Sequence, residues 1–153
     1  MALKTKLPNA QTVLSAVFDI VYSDTMVNVD GVELAFGADD AANTTFDLFT
    51  PPPGAVVIGG RVIVATVFNS TTNTIDIGDS DDRDRYTETG AIDLKDADAA
   101  PTGFDMLGDG KVYDGSQAVS ASILNDGAAT AGRAIVVVNF VVPGRASENL
   151  KTT

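Results

Sequence analysis

Short runs rich in β-branched and aromatic residues recur along this sequence, each ended by glycine, proline or an Asp-Gly pair, and no amphipathic helical period is sustained between them. From Val13 to Ser23 (VLSAVFDIVYS), strict alternation puts Leu14, Ala16, Phe18, Ile20 and Tyr22 on one face of an extended chain. VNVDGVELAF then reads as a hairpin around Asp30-Gly31, because a two-residue turn of that type needs positive φ at both central positions. The small polar stretch 37–45 (GADDAANTT) reads as a loop with a possible helical turn, and Thr45 to Phe49 as a short strand.

Pro51-Pro52-Pro53-Gly54 makes a stiff corner that cannot donate backbone hydrogen bonds. AVVIGGRVIVATVFNS follows, with Gly59-Gly60 placed to form a bulge between two halves of one strand. Further short strands are expected at Thr74 to Ile77, Ala91 to Leu94, Thr102 to Leu107 and Ala118 to Leu124. Arg133 to Val142 (RAIVVVNFVV) is nearly continuous in β-branched residues, the pattern of a central strand buried on both faces. The expected fold is all-β: a compact β-sandwich or jelly-roll-like barrel of roughly eight to ten short strands, with long loops and little helix. The expected organisation is an N-terminal arm over 1–12, one β domain over 13–146 and a polar tail over 147–153.

Composition narrows the chemistry. The 153 residues include no histidine and no cysteine, so thiol nucleophiles, serine–histidine triads, structural zinc and iron–sulfur sites are excluded or reduced to rare variants. The net charge of −11 opposes phosphate backbones, and nucleic acid is not an expected partner. The sequence has no run of apolar residues of membrane-spanning length, and MALKTKLPNAQTV lacks the apolar core of a secretory signal. A cytoplasmic site of synthesis and no membrane partner are the expectation. Charge is also segregated: Lys4 and Lys6 stand without an acid in residues 1–18, whereas Asp76 to Asp109 hold eleven acids against three bases.

The acidic centre contains DIGDSDDRDRY, residues 76–86. Asp76, Asp79, Asp81, Asp82 and Asp84 are candidate calcium ligands, since calcium takes six to eight oxygens. Their spacing does not fit the EF-hand loop, and Arg83 and Arg85 sit among them as competing cations. The plainer reading is a solvated loop whose arginines pair with its aspartates. A glycosidase pair has no tryptophan platform to accompany it, and no catalytic residue is named. GDGKVYDG (108–115) fails the phosphate-loop spacing, because Asp105 stands where glycine is needed and Val112 where a hydroxyl is needed.

PPPGAVVIGGRVIVATVFNSTTNTIDIGDSDDRDRY (51–86) resembles a segment of small virion proteins of tailed bacteriophages, a Pro/Gly corner leading into a "VxGGxVxVxTxFN" strand and then "TxxxGDxxDxxRY". AATAGRAIVVVNFVVPGRA (128–146) resembles their closing strand. The members are capsid decoration (cement) proteins and related head proteins. The resemblance implies a non-enzymatic virion protein, made in the bacterial host and seated on the outer capsid surface. It also implies a homo-oligomer, with a trimer favoured, and the major capsid protein as partner. It implies no cofactor. By position, the arm with Lys4, Lys6, Leu7 and Pro8 is the expected capsid contact. The alternatives are another virion component, such as a head-fibre base or tail protein, and a calcium-dependent carbohydrate-binding β-sandwich module.

Overall fold

The computed structural model describes residues 12–87, 92–96 and 104–143. The contact candidates Lys4, Lys6, Leu7 and Pro8 and the tail 147–153 lie outside the described residues. Among the described residues, ten strands run β1 (Leu14–Val21), β2 (Thr25–Val27), β3 (Glu33–Ala35), β4 (Asp40–Phe49), β5 (Val56–Thr66), β6 (Thr72–Asp79), β7 (Ile92–Asp93), β8 (Phe104–Leu107), β9 (Val119–Asp126) and β10 (Arg133–Val141). Among the described residues there is no helix.

Eight strands form two four-stranded antiparallel sheets, ordered β1-β10-β5-β8 and β4-β9-β6-β7, and β2-β3 is a separate hairpin. From β4 to β6 and again from β7 to β10, the chain crosses between the sheets, which is the winding of a jelly roll. The all-β expectation holds. The inner faces share one core: Ile20, Val62, Val64, Val136 and Val138 come from the first sheet, and Phe46, Ile75, Ile77, Ala121 and Ile123 from the second.

The alternation in β1 is realised, with Phe18 opposite Val136 and Ile20 opposite Ala134 on the core side. The bulge expected at Gly59-Gly60 is present: Asn139 pairs with Gly59 and Phe140 with Val57, so Ile58 is skipped. A Cβ on Gly60 would stand 2.0 Å from the Val137 carbonyl oxygen, so only glycine lets β5 run this close to β10.

Three local expectations are corrected. Residues 40–45 are not a loop but the start of β4, because Asp40 pairs with Asn125 and Thr44 with Ile123, and the neighbouring strand overrides weak local propensity. The Asp30-Gly31 turn is longer than two residues: Asn28 and Val32 close it, Gly31 takes φ 80°, and the Asn28 carboxamide oxygen accepts from the amides of Asp30 and Val32. Finally, β10 is central but buried on one face only, its residues alternating between buried and half-buried.

Candidate functional site

DIGD, at the end of β6, splits its two aspartates between opposite faces of the second sheet, as the two-residue period of a strand requires. Ile75, Ile77 and Asp79 point between the sheets, whereas Asp76 and Gly78 lie on the outer face beside Ser122 and Ser120. Residues 79–86 then fold back. The Asp79 amide donates to the Asp82 carbonyl and the Tyr86 amide to the Ile77 carbonyl, both at 2.9 Å. Gly78 permits this return, since a Cβ there would meet the Asp82 and Arg83 carbonyl oxygens at 2.2 and 2.3 Å.

Asp79 is the hub. Its Oδ2 accepts from Arg85 Nε at 2.8 Å, Lys111 Nζ at 2.9 Å and Tyr113 Oη at 3.1 Å. Its Oδ1 accepts from the amides of Asp81 and Asp82 at 2.9 and 3.2 Å. Burial works against the charged form, but the bonds from Lys111, the Asp81 amide and Tyr113, with the charge of Arg85, outweigh it and hold the carboxyl below the usual range. Arg85 also pairs with Asp109, and Lys111 with Asp81 at 3.1 Å. Lys111 Nζ lies 5.2 Å from the centroid of the Tyr113 ring.

Tyr86 and Tyr113 are fully buried, with hydroxyls 2.7 Å apart. An ionised carboxylate only accepts, so Tyr113 donates its one proton to Asp79 and accepts from Tyr86. Burial pushes the Tyr86 phenol up to about 12 and raises Tyr113 as well, which keeps both protonated at neutral pH. The result is a clasp that fastens the 79–86 return to the segment carrying Asp109, Lys111 and Tyr113.

Asp76 behaves differently. It is 2% exposed, its Oδ2 lies 3.1 Å from Arg83 Nε, and its Oδ1 has no hydrogen-bond partner among the described residues. Burial raises its carboxyl above the usual value, against the pull of Arg83 and with added repulsion from Asp84. Nearby, an open cleft of about 500 Å³ is lined by the hydroxyls of Thr45, Ser80, Ser120 and Ser122 together with Asp47 and Arg83.

The five aspartates proposed as calcium ligands are thus not gathered round one centre. Asp76 and Asp79 lie on opposite faces of β6, and Asp81 and Asp82 are exposed. The lone pairs of Asp79 meet N–H and O–H donors, where a bound cation would need them. Among the described residues, no group of three or more acidic side chains is placed to hold a metal ion. The reading of this stretch as a solvated loop is corrected for Asp76 and Asp79, both buried. Lys111 and Tyr113, two members of the clasp, were missed because GDGKVYDG reads locally as two turns.

No known protein family matches the sequence, and no curated protein resembles it closely. Solved structures do. A chain of the capsid asymmetric unit of cyanophage Pam1 superposes with a TM-score of 0.55 at 18% identity, over 94% of this chain and 97% of that one. A chain of the acidic stable capsid structure of Helicobacter pylori bacteriophage KHP30 gives 0.53 at 14% identity, over 88% and 94%. The fold is one found in two phage capsids. Since both chains are covered almost end to end, each is a single unit of about this size.

Proposed function

We propose that this chain is a virion structural protein without enzymatic activity, which binds the outer surface of a phage capsid and stabilises it as a decoration protein. The observation that carries the reading is the match of the whole jelly roll to nearly the full length of a chain in each of two phage capsids. The site supports it. The buried charged cluster round Asp79 has every lone pair of that carboxylate occupied and joins two loops, which is the work of a rigid scaffold.

In this reading the partner is the major capsid protein, and the chain acts as a homo-oligomer, with a trimer favoured. Residues 1–12 form the capsid-facing arm, with Lys4, Lys6, Leu7 and Pro8 as contacts, and 147–153 lies on the same side. Residues 1–18 carry Lys4 and Lys6 without an acid, and 133–153 carry Arg133, Arg145 and Lys151 against Glu148, so in a chain of charge −11 these are the parts suited to an acidic shell. Removing residues 1–12 is expected to abolish capsid occupancy while leaving the far-ultraviolet spectrum of the β fold intact. Undiminished occupancy by the truncated protein would overturn the role of the arm.

A further inference from the structure

We infer that the outer face of the β1-β10-β5-β8 sheet is the contact between copies of this chain. The inference deepens the oligomeric part of the reading above and rests on it, but it does not depend on capsid attachment. RAIVVVNFVV has the pattern of a strand buried on both faces, yet in the single chain β10 is covered on one face only. Ile135, Val137 and Val141 project outward, half-buried. Register places Val17 beside Val137, and Ile135 beside Ile63. Val17, Ile58, Leu107 and Val112 stand 61, 46, 45 and 63% exposed around them.

Charge selects the occupant. Among the described residues, four charged side chains stand on this face, and they cancel in pairs: Arg133 forks onto both oxygens of Asp19 at 2.8 and 2.7 Å, and Arg61 binds Asp105 Oδ1 at 3.0 and 2.7 Å. Ser15 donates to Asn139 at 2.7 Å, so these polar groups too satisfy each other within the face. Covering such a surface strands none of these charges. Two copies of a −11 chain repel through the acidic remainder, so they associate best through a face with no net charge. A basic partner would be drawn to the acidic remainder of the surface rather than to this neutral face.

The area is adequate. Strands about 4.8 Å apart with about 3.3 Å per residue give this sheet a face of roughly 19 by 26 Å, on the order of 500 Å² before side-chain relief. A stable pair buries about 800 Å² per partner, so the face supplies the larger part.

Sedimentation of the full chain without capsids tests this. The wild type is expected to run as a multiple of 15.8 kDa, and Val17→Asp at 15.8 kDa with an unchanged far-ultraviolet spectrum. Because the chain has no cysteine, Val17→Cys and Val32→Cys give a second readout that survives if Val17→Asp fails to fold. The Val17→Cys thiol should be protected from labelling in the oligomer and become reactive on dilution, with Val32→Cys reactive throughout. A monomeric wild type, an oligomer that withstands Val17→Asp, or protection at Val17→Cys that persists in the diluted monomer would each overturn the inference. Loss of capsid binding with self-association retained would count against decoration and leave this face assigned.

Discussion

The hydroxyl of Tyr113 donates to the Asp79 carboxylate across 3.1 Å, which joins a residue at the end of β6 to one more than thirty positions later in the chain. Tyr113 in turn accepts from Tyr86 at 2.7 Å, so the proton order Tyr86 to Tyr113 to Asp79 is fixed by the acceptor at its end. Closing the end of the sandwich with a directed chain of this kind makes the three positions unequal.

Tyr113→Phe removes the middle member, leaving the Tyr86 hydroxyl buried without its acceptor and Asp79 short of a donor. A loss of about 2–3 kcal/mol is expected. Tyr86→Phe leaves the Tyr113–Asp79 bond in place and should cost about 1 kcal/mol. Urea unfolding of the two variants checks the order, and equal or reversed losses would contradict the assigned proton direction.

Acid should loosen the clasp. The Asp79 carboxyl titrates lower in the folded chain than in the unfolded one, so its contribution is present above the ordinary carboxylate value near 4 and is lost as pH falls below that. Asp79→Asn leaves Arg85 and Lys111 without their buried counter-charge and should cost roughly 3 kcal/mol at neutral pH. Thermal melts from neutral pH down through the acid range should show the gap between wild type and Asp79→Asn narrowing below about pH 4. A gap that holds constant would show that Asp79 does not carry the effect.

Asp76 should show the opposite slope. Its carboxyl titrates higher in the folded chain, so the charged form weighs against folding at neutral pH, and this weight fades as pH falls through the raised value toward the ordinary one near 4. Asp76→Asn is therefore expected to compare more favourably with wild type at pH 7 than at pH 4. The melting-temperature difference at the two pH values measures this, and a difference that favours the variant more at pH 4 would refute it.

Gly78→Ala should be poorly tolerated for a backbone reason. The new methyl would lie against the Asp82 and Arg83 carbonyl oxygens, which belong to the return itself and are not flexible side-chain ends. The expected result is a loss of about 2–4 kcal/mol, with faster amide exchange at Tyr86, whose amide closes the return on Ile77. Unchanged protection at Tyr86 would show that the return does not depend on this contact.

The elements that alternate locally were legible in the sequence: Leu14 to Tyr22, the Pro51 to Gly54 corner, and the bulge at Gly59, all set by neighbours in the chain. The start of β4 was not, because small polar residues at 40–45 are held as a strand by pairing to β9, eighty residues away. Neither was the burial of Asp79. Beside Arg83 and Arg85 it reads as a solvated charge, while the partners that bury it, Lys111 and Tyr113, come from a segment whose own pattern signals only turns. The continuous apolar run of β10 predicted two covered faces. The single chain covers one, and that difference is the ground for inferring that a second copy covers the other.

Co-sedimentation of the purified full chain with undecorated phage capsids measures the proposed attachment. Saturable binding at a fixed ratio to the major capsid protein is expected, weakened by salt as the basic ends are screened. A chain that stays in the supernatant at every ionic strength, with its jelly roll folded, would contradict it.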